Sequence, residues 1–128
     1  MSATHYDPEK APAPKDWLAL DEDERIRLAN NYHVARRIKL PNAKVHAVFH
    51  VIVENQIAEG FGPSTRAIQR LQTEGLTRHD AIHAIAWVMA SHLFESQKNP
   101  TAMSEPGRQR ALNQAIEDLS ASAWRQSQ

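Results

Sequence analysis

Four histidines and one glutamate are spaced so that they could bind a metal ion. His46, His50 and Glu54 occupy positions i, i+4 and i+8 in the stretch V-H-A-V-F-H-V-I-V-E-N-Q. On a helix of 3.6 residues per turn, these side chains lie within about 80° of one another. His79 and His83 are also four residues apart, in R-H-D-A-I-H-A-I. Imidazole and carboxylate groups bind divalent transition metals, so the pattern predicts a metal site with these five residues as ligands.

The axial rise of a helix limits how many of these ligands one ion can reach. His46 and Glu54 are separated by about 12 Å along the axis, and His46 and His50 by about 6 Å. Either one ion binds His50 and Glu54 together with the second pair of histidines, or two ions lie a few ångströms apart. In the first arrangement His46 either supports one of the ligands without binding the ion itself, or it binds a second ion. His92 falls near the opposite side of its helix and is not included.

The sequence restricts the metal without identifying it. The chain has no cysteine, which excludes thiolate ligands, iron–sulfur clusters and disulfides. Nitrogen and oxygen ligands suit zinc, iron or manganese. We therefore predict a divalent metal ion of one of these three kinds, in a mononuclear or dinuclear site.

The elements that must position these residues are predicted to be helices. No stretch alternates polar and apolar residues with the period of two that a half-buried strand requires. Apolar spacing, N-cap residues and glycine stops predict helices over about 21–38, 42–60, 65–74, 77–97 and 108–124. The second and fourth are apolar around most of their circumference. The prediction is an all-α fold, a compact bundle of about five helices with two buried central helices.

Three regions are predicted along the chain. Residues 1–16 contain three prolines among small and charged residues, which suits a mobile lead-in without a site role. Residues 17–98 form the helical core domain. Residues 99–128 form a loop and an amphipathic helix that packs on the core or on a partner.

The charge balance and the N-terminus bear on partners and compartment. The 15 basic and 15 acidic side chains give a formal net charge of zero, which disfavours nucleic acid and anionic membranes as partners. The N-terminus lacks the layout of a signal peptide, and no apolar run reaches the length of a membrane span. We expect a cytoplasmic protein.

Several families share parts of this pattern. The string H-x-x-x-H-x-x-x-E-N-Q followed by R-H-D-A-I-H-A-I resembles a small bacterial family catalogued only as a domain of unknown function. This resemblance covers about 17–95 and implies no activity. His50-x-x-x-Glu54 and His79-x-x-x-His83 resemble the two middle helices of the hemerythrin di-iron bundle, but its H-x-x-x-x-D motif is missing here.

Two hydrolase families are similar over shorter stretches. His79-Asp80-Ala81-Ile82-His83 resembles the H-E-x-x-H helix of zinc proteases, with aspartate in place of the glutamate base. The adjacent His79 and Asp80 also resemble an HD-type phosphohydrolase, whose other ligands have no matching spacing here.

A function without a metal is the alternative. In it, the buried histidines are structural and the protein is a non-enzymatic interaction module. The amphipathic last helix, with Trp124 near its end, could then pack on a second copy and form a homo-oligomer.

Overall fold

The computed structural model of the chain describes residues 5–35 and 43–127, and the side chains of residues 5–32 and 44–127. Within these ranges the secondary structure is entirely helical, as predicted. The helices are α1 Pro14–Ala19, α2 Glu22–Ala35, α3 Ala43–Ala58, α4 Gly62–Thr73, α5 Arg78–Lys98, α6 Glu105–Asp118 and α7 Ala121–Gln126. None of them has the length and apolar character needed to cross a membrane.

The prediction of about five helices was too low for the described residues. Helix α1 is short but begins with Pro14, whose fixed φ suits a first helical turn, and it buries Trp17. The predicted last helix is two helices, because Leu119 adopts an extended conformation at the end of α6. Ser120 then accepts a hydrogen bond from the Ala123 amide and starts α7.

Several predicted helix limits are confirmed by local geometry. Gly60 and Gly75 adopt positive φ angles of 74° and 104° after α3 and α4, where other residues would be strained. Thr77 caps α5 by accepting a hydrogen bond of 3.1 Å from the Asp80 amide. The predicted cap at Asn42 and the predicted end of the first long helix near Ile38 lie outside the described residues.

The first unit ends at Phe61 and contains α1, α2 and α3. Both α1 and α2 pack against α3. Their core is built from apolar and aromatic side chains that are at least nine-tenths buried: Tyr6, Trp17, Leu28, Ala29, Tyr32, Ala47 and Val51. Tyr6 precedes the first helix, so part of the predicted lead-in belongs to this core.

The second unit begins at Gly62 and contains α4 to α7. Arg70 of α4 donates hydrogen bonds to the carbonyls of Ile116 and Leu119 at the end of α6. The Trp124 ring of α7 lies 6.1 Å from that of Trp87 on α5. The C-terminal segment therefore packs on its own chain through these contacts.

The second half of α5 differs from the sequence prediction. Ile82, Ile85 and Val88 are buried as expected. Leu93 and Phe94 are 52% and 65% exposed, although the sequence predicts a helix that is buried around most of its circumference. The burial predicted for α5 therefore holds for its first half, where the predicted ligands lie. It does not hold for its last turns.

Candidate metal site

Helix α3 carries three of the predicted ligands. His50 and Glu54 are each only 1% exposed, and His46 is partly buried. The ring centroids of His46 and His50 lie 5.0 Å apart, because the two residues are one helical turn apart. The buried neighbour Val51 belongs to the core of this unit. The predicted polar stripe is therefore present and points largely away from solvent.

Helix α5 carries the other two predicted ligands near its capped N-terminus. The ring centroids of His79 and His83 lie 4.3 Å apart with an interplanar angle of 64°. Both side chains are partly buried, and Ala81 and Ile82 between them are fully buried. The Thr77 cap fixes the start of the helix and thus the register of this pair.

The predicted ligands are divided between the two units: His46, His50 and Glu54 lie in the first, and His79 and His83 lie in the second. Within the first unit, His46, His50 and Glu54 follow one another at intervals of about one turn on α3. The joint assignment of the five residues as ligands remains a prediction, as does the choice between one ion and two.

Tyr6 adds a contact that the sequence analysis missed. Its hydroxyl donates a hydrogen bond of 2.5 Å to Glu54 Oε2 and lies 3.2 Å from His50 Nδ1. The Tyr6 side chain is 5% exposed, and its ring meets the His50 ring edge-on at a centroid distance of 5.9 Å. The sequence Tyr6-Asp7-Pro8 contains one local indication that this segment is ordered, because an aromatic residue directly precedes a turn. Asp7 accepts hydrogen bonds from the Glu9 and Lys10 amides there.

Asn55 holds the helices of the first unit together beside the predicted ligands. Its Oδ1 atom accepts hydrogen bonds from Trp17 Nε1 at 2.9 Å and from Arg25 Nη1 at 3.0 Å. Arg25 also donates to the carbonyls of Leu18 and Leu20 between α1 and α2. These contacts show that Asn55 bridges the helices of this unit.

The comparisons with known proteins add no relative. No family model, curated protein or solved structure matches this chain. The resemblance to a bacterial family of unknown function therefore stays a prediction.

His92 lies toward the other end of α5 from His79 and His83. It lines a cavity of about 350 Å³ together with residues from the end of α5 and from α6, including Ser96 and Arg108. The Arg108 guanidinium donates hydrogen bonds to the carbonyls of Pro100 and Met103 and pairs with Glu105. This cavity holds no group of possible metal ligands among the described residues.

A divalent ion held by three such nitrogen or oxygen ligands would keep at least one coordination position for water or a substrate oxygen. It would act there as a Lewis acid and lower the pKa of a bound water molecule.

Proposed function

We propose that this protein binds a divalent metal ion through His46 and His50, with Glu54, His79 and His83 as the further ligands that the sequence predicts. The observation that carries the proposal is the pair of neighbouring imidazoles on α3, with ring centroids 5.0 Å apart. The Glu54 carboxylate follows His50 one turn later on the same helix, and both side chains are only 1% exposed.

Burial supports the same conclusion. His50 is 1% exposed and has the His46 ring beside it on the same helix face. Neighbouring imidazoles cannot all become charged in a dry site without a large electrostatic cost, so they stay neutral or bind a cation.

The proposed metal is zinc, iron or manganese. All three accept imidazole ligands, and none requires the thiolates that the chain lacks. Glu54 or His79 could complete the ligand set, as the sequence predicts. Water could fill the same position if neither does.

Metal analysis of protein purified without a histidine tag tests the proposal. We expect about one ion per chain after growth in metal-replete medium, measured by plasma mass spectrometry. Protein that is isolated metal-free should bind added Zn²⁺, Co²⁺ or Mn²⁺ in calorimetric titrations. A folded wild-type protein that neither contains metal nor binds any of these ions would contradict the proposal.

Single substitutions identify the ligands. His50→Ala and His83→Ala should each remove most of the binding measured by the titration, because each deletes one of the proposed ligands. His92→Ala is the matched control, since it deletes an imidazole from α5 that lines a separate cavity of the second unit. Equal losses in all three variants would show that the wrong histidines have been grouped.

A further inference from the structure

The Tyr6 hydroxyl connects His50 to Glu54. Two polar atoms lie within hydrogen-bonding distance of this one oxygen, Glu54 Oε2 at 2.5 Å and His50 Nδ1 at 3.2 Å. His50 and Glu54 are one turn apart on α3, so they present both atoms on the same face. The phenol comes from the segment before α1, which is 44 residues from His50 in sequence.

The number of protons decides the direction of these hydrogen bonds. A phenol has one proton to donate, whereas an ionised carboxylate can only accept. The short distance to Glu54 identifies that carboxylate as the acceptor of the Tyr6 proton. The contact between the phenol oxygen and His50 Nδ1 then requires a proton on Nδ1, which donates to the oxygen. In this arrangement the proton of neutral His50 is on Nδ1, and Nε2 is the unprotonated ring nitrogen.

We propose that Tyr6 is a positioning residue that holds His50 in the tautomer able to bind a metal through Nε2. His50 Nδ1–H donates a hydrogen bond to the Tyr6 oxygen, and the Tyr6 hydroxyl donates one to Glu54. Hydrogen bonds to the nitrogen that does not bind the metal commonly set the tautomer and the ring orientation of metal-binding histidines. The role in metal binding rests on the proposed function, whereas the role in setting the tautomer does not require a metal.

The surroundings of Tyr6 suit this role. Its ring packs 5.5 Å from Trp17 and 6.4 Å from Tyr32, measured between centroids, and the side chain is 5% exposed. A ring held on several sides keeps its hydroxyl in a fixed position. Because phenylalanine has the same ring, Tyr6→Phe should preserve the packing while removing the hydrogen bonds.

Nuclear magnetic resonance of the metal-free protein tests the tautomer. Long-range ¹H–¹⁵N spectra distinguish a protonated ring nitrogen from one with a free lone pair. At about pH 8, where ordinary imidazole is neutral, wild-type His50 should be protonated at Nδ1. In Tyr6→Phe the His50 signals should shift toward the Nε2-protonated tautomer. Wild-type His50 protonated at Nε2, or unchanged His50 signals in Tyr6→Phe, would overturn the proposal.

Metal titrations of the same variants test the consequence for binding. Loss of a hydrogen-bond partner behind a metal ligand weakens affinity by about 10–100-fold, and we expect this loss for Tyr6→Phe. Tyr32→Phe is the matched control, because it removes a hydroxyl from the aromatic cluster around Tyr6, and it should keep wild-type affinity. An equal loss in both variants would attribute the effect to packing and overturn the metal-binding role of Tyr6.

The two readouts separate this proposal from the proposed function. If the wild-type protein binds no metal but Tyr6→Phe changes the His50 tautomer, metal binding fails and the assignment of the hydrogen bonds stands. If the wild-type protein binds metal but Tyr6→Phe changes neither tautomer nor affinity, the role of Tyr6 is rejected and the metal site stands.

Discussion

At the scale of single residues, buried polar side chains in the first unit have hydrogen-bond partners far away in sequence. Asn55 is the clearest case, because one amide oxygen accepts from an indole on α1 and a guanidinium on α2. Trp17 is 1% exposed, so its N–H group has little access to water. The Asn55 Oδ1 atom on α3 therefore links all three helices of this unit by hydrogen bonds.

Asn55→Ala should destabilise the protein by about 1–3 kcal/mol, because it leaves the buried indole N–H without its acceptor. Urea unfolding followed by circular dichroism measures the change in the free energy of unfolding. Asn55→Asp is the control that retains an acceptor oxygen, and it should unfold close to wild type. A stable Asn55→Ala protein would show that water replaces the amide oxygen without cost.

The histidines and Tyr6 differ in how far sequence could predict them. His46 and His50 are one turn apart on a single helix, so their proximity follows from helical geometry alone. The contact of Tyr6 with His50 joins residues 44 positions apart, and no local periodicity encodes it. The sequence therefore indicated side chains that could bind a metal, but it did not indicate that the Tyr6 phenol contacts His50.

At the scale of helices, the side chains that cap or stop a helix explain both the correct limits and the errors. The sequence predicts a cap at Thr77 because Asp80 follows three residues later, a near-match to the capping box, and Thr77 accepts a hydrogen bond from the Asp80 amide. The separation of α6 from α7 was missed, because apolar residues at helical spacing continue through Leu119. Ser120 is the local signal for the break, and its side chain caps α7.

Thr77→Ala should destabilise the protein by about 1 kcal/mol, because the first turn of α5 loses its side-chain acceptor. The melting temperature should fall by a few degrees in differential scanning calorimetry. Thr77→Ser retains a hydroxyl acceptor and should melt near wild type. Indistinguishable melting of the alanine and serine variants would mean that this cap contributes nothing to stability.

The ion pair between α4 and α6 also acts at this scale. Arg66 donates a hydrogen bond of 2.6 Å to Glu117, and this bond lowers the pKa of the Glu117 carboxyl. A carboxyl whose pKa is lower in the folded state stabilises the fold above its unfolded pKa and loses that contribution as the pH falls. Because both side chains are substantially exposed, solvent screens the pair and the effect on stability is small.

At the scale of the whole molecule, metal binding and folding should be coupled. An ion that binds only the folded chain stabilises it by RT ln(1 + [L]/Kd), which is about 4 kcal/mol when free metal exceeds Kd a thousandfold. Saturating metal should therefore raise the melting temperature of metal-free protein by roughly ten degrees, and a chelator should reverse the change.

The same measurement on variants and at lower pH makes this prediction specific. His50→Ala should lose most of the metal-dependent rise in melting temperature, whereas His92→Ala should keep it. The rise should shrink between about pH 7.5 and about pH 5.5, because protonated imidazole cannot bind the ion. A rise that is the same in both variants would place the ion elsewhere.

The position of Tyr6 ahead of the first helix has a practical consequence for shortened versions of the protein. A gene trimmed to begin at Pro14 would still encode every helix described here, and a helical spectrum would look intact. Such a product would nevertheless lack the phenol that joins His50 to Glu54. A search for minimal fragments guided by helix limits alone would thus discard a residue that contacts the proposed ligand His50.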